Sequence, residues 1–112
     1  MIRLVTCDID GTLLHGEETS IDAETLEEIR RLREKGILFC PASGRQYHSL
    51  RRLFASVQDE IAYICENGSV VFGPGNPGPV WGKVPLERNL AVQLCRDIMA
   101  MPECEINASG EN

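Results

Sequence analysis

The segment Asp8-Ile9-Asp10-Gly11-Thr12 follows directly on the apolar segment 2–7. A short apolar run that ends at an acid is typical of a buried strand. Two carboxylates at positions i and i+2 of an extended chain project to the same side, about 7 Å apart in an ideal strand. Because acids that close repel each other, the pair needs a metal ion or divides into one charged and one protonated group. Two aspartates that merely cap a turn are the ordinary alternative. Gly11 leaves room for backbone N–H groups to approach a ligand, and Thr12 adds a hydroxyl.

Outward from this stretch, strand and helix patterns alternate along the chain. Segments 2–7, 37–40 and 61–65 are short apolar runs that we expect to be strands. Between them, segments 22–36 and 47–57 carry apolar residues at helical spacing. Strand, helix, strand, helix, strand predicts right-handed crossover units and a three-stranded parallel sheet, an α/β fold.

The first helix carries its own start and stop signals. Asp22 is a typical N-cap residue, and Gly36 is typical of the residue just past a helix end. Leu26, Ile29 and Leu32 lie between them at the spacing of one apolar face. The sequence therefore predicts both ends of this helix.

The second half of the chain changes character. Segments 69–72 and 80–84 are short β-like runs, and the Gly- and Pro-rich segment 73–79 separates them, which predicts a hairpin with a long turn. Segment 86–101 has the pattern of a helix, and we expect a further strand to begin at 104–108.

Composition narrows the function classes. The 112 residues, 43% hydrophobic and 25% charged, are ordinary for one soluble globular domain. A net charge of -6 argues against a nucleic-acid partner, which needs a basic face. No apolar run approaches the roughly 20 residues that span a bilayer, so we expect no membrane partner. Five cysteines without Cys-x-x-Cys spacing argue against a disulfide framework or a zinc site, and we expect a cytoplasmic protein.

Two further polar stretches follow the second and third strands. Ser43-Gly44-Arg45 stands where a helix opens, and a helix N-terminus with its free N–H groups can bind an anion. A serine N-cap beside a surface arginine is the ordinary alternative. Asn67-Gly68 follows the third strand and is first of all a turn signal.

Together these stretches resemble the haloacid dehalogenase superfamily. Asp8 to Thr12 is similar to its first motif, Leu13-Leu14 extends the likeness to the Cof-type sugar-phosphatase branch, and Ser43-Gly44-Arg45 looks like the second motif. The resemblance implies a Mg²⁺-dependent phosphatase that hydrolyses small phosphorylated metabolites through an aspartyl-phosphate intermediate. In this branch the implied substrates are sugar phosphates.

The resemblance also assigns roles residue by residue. Asp8 would attack phosphorus, and Asp10 would protonate the leaving oxygen and later activate water. Mg²⁺ would be held by the Asp8 carboxylate and the Asp10 carbonyl, hard oxygen donors that suit this ion. The implied phosphate- and substrate-binding residues are Gly11, Thr12, Ser43, Gly44, Arg45 and Asn67.

The resemblance implies a Rossmann-like core, present in part. We expect residues 1–84 to form this partial core with the hairpin, and residues 85–112 to begin an α/β cap that is cut short. The family places its first strand at the centre of the sheet, with further strands on the far side. Its motif lysine and its late Gly-Asp-x-x-x-Asp-type acidic cluster have no counterpart here, because Lys35 and Lys83 both precede the cap. We therefore expect a truncated product, or a chain completed by another.

Two rival functions remain open. One is a glycosyltransferase whose Asp-x-Asp binds a metal and a nucleotide sugar, although the Gly-Thr after Asp10 counts against it. The other is a non-catalytic relic or interaction module, which the missing motifs favour. For either outcome we expect self-association through an exposed sheet edge or face.

Overall fold

The structure is a computed structural model that describes residues 1–110, and it contains one mixed sheet with three helices. The strands are β1 (Leu4–Asp8), β2 (Leu38–Ala42), β3 (Tyr63–Cys65), β4 (Val70–Phe72) and β5 (Val80–Lys83). The helices are α1 (Ala23–Glu34), α2 (Tyr47–Leu53) and α3 (Arg88–Met99), with 3-10 turns at Ala55–Val57 and Glu66–Gly68.

The sheet order is β1-β2-β3-β4-β5. The first three strands are parallel, as predicted, and β4 and β5 are antiparallel neighbours. The predicted hairpin is confirmed, and its strands extend the same sheet because β4 pairs with β3. Within the described residues, β1 therefore lies at one edge.

Helix α1 begins and ends where its signals predict. The Asp22 side chain accepts a hydrogen bond from the Thr25 N–H at 2.7 Å. At the other end Gly36 adopts φ +73°, and the N–H groups of Gly36 and Ile37 donate to the carbonyls of Arg33 and Leu32, each at 2.9 Å. This is a Schellman motif, and its left-handed residue favours glycine.

The second strand and the second helix differ from the predicted bounds. β2 continues through Pro41 to Ala42, although a proline without an N–H usually marks the end of a central strand. It continues because β1 and β3 flank it on both sides, with Asp8 opposite Ala42. Helix α2 stops at Leu53, since Phe54 leaves helical geometry at φ -106° and the chain tightens into a 3-10 turn.

The core lies on the face of the sheet that α1 and α2 cover. Its fully buried side chains include Leu50, Phe54 and Tyr63, and the rings of Phe39 and Phe54 lie 5.8 Å apart. Val5 and Cys7 of β1 pack against this cluster. Leu4 points to the other face, where it is 52% exposed.

The C-terminal part is mostly exposed. The predicted helix is confirmed as α3, and the Glu87 side chain caps it by accepting from the N–H groups of Asn89 and Leu90, each at 2.9 Å. The strand expected at 104–108 is wrong: the chain is irregular there, because no neighbouring strand offers it a ladder. The division between residues 1–84 and 85–112 stays a prediction, and residues 111–112 lie outside the described part.

The hairpin carries the single tryptophan of the sequence. The Trp81 ring lies so close over Gly73 that a side chain at that glycine would overlap it, and Trp81 is 57% exposed. In the part of the chain that the structure describes, no helix has the length and apolar content to cross a membrane.

Candidate active site

The register of the parallel strands brings the three polar stretches to one edge of the sheet. Asp8 ends β1 opposite Ala42, and Ala42 lies opposite Ile64. The Ser43 N–H donates to the Ile64 carbonyl at 3.0 Å, and the Asn67 N–H donates to the Ser43 carbonyl at 3.0 Å. The loops that follow β1, β2 and β3 therefore meet at the carboxyl ends of the strands, where ligands bind in open parallel sheets.

The loop after Asp8 is wound around one carbonyl group. The N–H groups of Thr12, Leu13 and Leu14 all donate to the Ile9 carbonyl, at 3.1, 2.9 and 2.9 Å. The Gly11 N–H donates to the Leu14 carbonyl at 2.7 Å. Ile9 and Leu14 are buried in the core, so the loop is fixed at both ends.

This winding corrects the role expected for Gly11. The glycine is needed because the turn places it at φ +86°, in the left-handed region. Its N–H and that of Thr12 are bound inside the loop and do not face a ligand.

Asp10 and Arg45 form an ion pair that joins the first two loops. Arg45 Nη2 lies 2.9 Å from Asp10 Oδ1, and Arg45 Nε lies 3.3 Å from Oδ2. The hydrogen bond from Arg45 lowers the pKa of the Asp10 carboxyl group. The pair is exposed, so it orients the two side chains more than it stabilises the fold. Arg45 was expected among the phosphate- and substrate-binding residues, and in the structure its guanidinium group pairs with Asp10.

Ser43 and Asn67 lie next to each other, on the loops that follow β2 and β3. The Ser43 Oγ accepts a hydrogen bond from the Arg45 N–H at 3.1 Å. A Cβ on Gly44 would lie 2.9 Å from the Asn67 Oδ1, so glycine lets the two loops approach each other. Asn67 itself lies in a left-handed turn, with φ +55°.

The expectation that Ser43 stands at a helix N-terminus is wrong. Helix α2 begins at Tyr47, and Gln46 is its N-cap, without a side-chain hydrogen bond. Ser43 is therefore neither the cap nor part of the first turn. An anion at this position would meet loop N–H groups and the Arg45 side chain instead of a helix end.

The donor set fits a hard cation in part. Asp8 and Asp10 are both exposed at the strand end, and they offer carboxylate and carbonyl oxygens, which Mg²⁺ prefers. Residues 1–110 contain no group of three His, Cys, Asp or Glu side chains that could hold a metal ion by themselves. Mg²⁺ usually keeps several waters and needs only one or two carboxylates, so two donors are compatible with it.

Comparison with known proteins identifies the family of the chain. The family model for haloacid dehalogenase-like hydrolases matches residues 5–111. The chain belongs to this family. It is 32% identical over 111 residues to the 5-amino-6-(5-phospho-D-ribitylamino)uracil phosphatase YbjI of Escherichia coli. The aligned region covers 99% of this chain and 40% of that protein.

Other proteins are similar to this chain over shorter stretches or in structure. Phosphoglycolate phosphatase 1 of Saccharolobus solfataricus is 40% identical over 73 residues, 64% of this chain and 32% of that protein. A crystal structure from Eubacterium rectale superposes with a TM-score of 0.75 at 35% identity, covering 88% of this chain and 36% of that one. The chain thus spans about 40% of the length of the E. coli relative.

Proposed function

We propose that Asp8 is the nucleophile of a Mg²⁺-dependent phosphomonoester hydrolase that acts on small phosphorylated metabolites, sugar phosphates among them, in the cytoplasm. The observation that carries the proposal is the alignment of Asp8, the Asp10 loop and the Ser43 loop at one edge of the sheet. The relatives named as phosphatases act on chemically different esters, which supports the reaction class more than any one substrate.

In the proposed reaction a carboxylate oxygen of Asp8 attacks phosphorus and forms an aspartyl phosphate, while the bond from phosphorus to the ester oxygen breaks. Asp10 gives its proton to that oxygen, which leaves as an alcohol. Asp10 then takes a proton from water, whose oxygen attacks the phosphorus. The bond from phosphorus to the Asp8 oxygen breaks, so that inorganic phosphate leaves and the Asp8 carboxylate is restored. The Ser43 hydroxyl, the Thr12 hydroxyl and the Gly44 N–H would bind phosphoryl oxygens.

Mg²⁺ would be held by the Asp8 carboxylate and the Asp10 carbonyl, and when bound it supplies positive charge beside the phosphoryl oxygens. Without it, Arg45 is the positive group that lies nearest to Asp10. Arg45 can exchange its carboxylate partner for a phosphoryl oxygen, because its planar fork suits both.

A second candidate is a non-catalytic role for these 112 residues by themselves. The observation that favours it is the small donor set, together with the coverage of about 40% of the E. coli relative. A glycosyltransferase is disfavoured by membership of a hydrolase family. Release of phosphate, as opposed to transfer of a sugar, discriminates between these functions.

The experiment is hydrolysis of p-nitrophenyl phosphate with Mg²⁺, by this chain and by one extended to the length of the relatives. Asp8→Asn keeps the size of the side chain and removes the nucleophile. We expect it to lower turnover by roughly 10³-fold or more, about 4 kcal/mol of barrier, while the melting temperature stays close to that of the parent. Near-normal turnover in Asp8→Asn would refute the assignment. Glu17→Gln, an exposed acid in the same loop region, is the matched control.

A further inference from the structure

Arg51 of helix α2 lies at the centre of a hydrogen-bond cluster outside the candidate active site. Its side chain is only 13% exposed. Nη1 lies 2.9 Å from the Gly75 carbonyl, 3.2 Å from the Gln58 carbonyl and 3.2 Å from the Tyr47 hydroxyl, while Nη2 pairs with the Asp59 carboxylate. One guanidinium group therefore contacts the helix, the segment after it and the hairpin loop 73–79.

Tyr47 is the second member of this cluster. Its ring stacks on Phe72 of β4, with centroids 3.7 Å apart and planes at 10°. The Tyr63 and Tyr47 rings form a T-shaped pair, with centroids 5.3 Å apart. The Tyr47 hydroxyl accepts a hydrogen bond from the Gly78 N–H at 3.1 Å. Arg51 and Tyr47 thus bind the hairpin loop at two points, Gly75 and Gly78.

Tyr47 also lies close in sequence to the candidate active site, two positions after Arg45. Tyr47 is the first residue of α2, Gln46 precedes it as the cap, and Arg45 comes before that. Arg45 is the residue that reaches Asp10 across to the first loop. A shift of the Tyr47 backbone would therefore displace the backbone of Arg45.

We propose that Arg51 and Tyr47 are positioning residues: they anchor the hairpin loop 73–79 to α2, and this anchor holds the loop that carries Arg45 in place against Asp10. The chemistry requires arginine, because a planar group with five donors can serve two carbonyls, a hydroxyl and a carboxylate at once. Lysine has a single nitrogen, whereas here Nη1 serves the two carbonyls and the hydroxyl and Nη2 pairs with the Asp59 carboxylate.

The loop has little room to adapt if the anchor is lost. A Cβ on Gly78 would overlap the Gly73 carbonyl, so the two ends of the loop are packed against each other. Without Arg51, the Gly75 carbonyl loses this donor, whereas the Gln58 carbonyl keeps the Tyr63 hydroxyl at 2.8 Å. The loop must then move outward to find water, and it takes the Gly78 contact of Tyr47 with it.

The test compares Arg51→Met with Arg52→Met in the full 112-residue chain. Methionine keeps the apolar stem, and Arg52 is an exposed neighbour on the same helix. Two quantities are measured by NMR: hydrogen exchange of the Gly78 amide, and solvent exchange of the Arg45 Nε–H that donates to Asp10. Neither needs turnover, so a failure here is separate from a failure of the proposed function.

We expect Arg51→Met to speed both exchange rates by roughly tenfold or more, and Arg52→Met to leave them unchanged. The amides of β2 serve as the reference for global unfolding. Unchanged exchange at Gly78 would overturn the anchor. Faster exchange at Gly78 with an unaltered Arg45 signal would overturn the positioning of Arg45. If Arg51→Met does not fold, Tyr47→Phe keeps the stack on Phe72, removes the hydroxyl, and must give the same pattern.

Discussion

In the proposed reaction Asp10 first donates a proton to the leaving oxygen and later accepts one from water. Its surroundings favour the second role. The fork of Arg45 lowers the pKa of its carboxyl group and so favours the charged form. A charged Asp10 is ready to accept a proton from water, whereas donation to a leaving oxygen requires that Arg45 first turn away. The incoming phosphoryl group offers Arg45 another anionic partner, which links substrate binding to the release of Asp10.

We expect Mg²⁺ to bind this chain weakly. The chain offers the Asp8 carboxylate and the Asp10 carbonyl, and the described residues include no third acid in position to join them. We expect calorimetry on the chain to show binding no tighter than roughly millimolar, because the remaining octahedral positions fall to water. Tight binding of one Mg²⁺ per chain, lost in Asp8→Asn, would contradict this expectation.

Because two thiols of this chain are buried, we expect the free energy of unfolding to fall in alkali. Burial raises the pKa of Cys65 from 9.0 to about 12, and it also raises that of Cys40. Between pH 9 and pH 12 the unfolded chain therefore loses protons that the folded chain keeps, so the free energy of unfolding falls as pH rises.

We expect a slope of up to roughly 1 kcal/mol per pH unit from Cys65, measured by urea unfolding at several alkaline pH values. Cys65→Ala removes a buried side chain and lowers stability throughout, yet it should flatten the slope. Cys104→Ala, at an exposed thiol, should leave the slope as it is. An identical slope in Cys65→Ala and the parent would rule out this origin.

At the scale of elements, two glycines allow a clean test of backbone conformation. A Cβ at Gly36 or at Gly82 would meet nothing within 4 Å, and Gly36 alone of the two has a left-handed φ, +73°. We expect Gly36→Ala to cost about 1 kcal/mol of unfolding free energy at the end of α1. Gly82→Ala in β5 should be neutral or slightly stabilising, since alanine restricts the unfolded chain. Equal effects in urea unfolding would mean that the Gly36 conformation is not strained for alanine.

Helix α1 shows how far local signals reach. Asp22 and Gly36 specify its two ends, because the Asp22 side chain and the Gly36 N–H each make a hydrogen bond to a residue three positions away. The ends of α2 and β2 depend on distant neighbours: Phe54 is fully buried in the core, and Pro41 lies between two partner strands. Sequence periodicity finds such elements and misplaces their limits.

The same distinction applies to the candidate active site. The position of Asp8, Ser43 and Asn67 at strand ends follows from local patterns and from the parallel sheet. The pairing of Arg45 with Asp10 joins residues 35 positions apart, and no local pattern encodes it. The inward N–H groups of Gly11 and Thr12 depend on the burial of Leu14, which is likewise a tertiary fact.

For the whole molecule, we propose that the open side of β1 leads to self-association. Within the described residues β1 pairs with β2 alone, and Leu4 is exposed on its outer face. Natural edge strands are usually protected by charge, proline or a bulge, which this strand lacks between Leu4 and Cys7. A second copy could supply a strand or an apolar face.

We expect light scattering at about 100 μM to show a dimer or larger species. Leu4→Lys places a charge on this strand and should shift the population toward monomer. Thr19→Lys, which makes the same charge change in an exposed loop, should not. A parent chain that stays monomeric at this concentration would show that β1 finds cover within its own chain.

The position of Trp81 has an optical consequence. The single indole of the molecule lies on the hairpin over Gly73, apart from the cluster of buried side chains around Phe54 and Tyr63. Its fluorescence therefore follows the local surroundings of the hairpin, whereas far-ultraviolet circular dichroism follows the helices and the sheet as a whole. The molecule carries a built-in reporter that separates detachment of its hairpin from melting of its core.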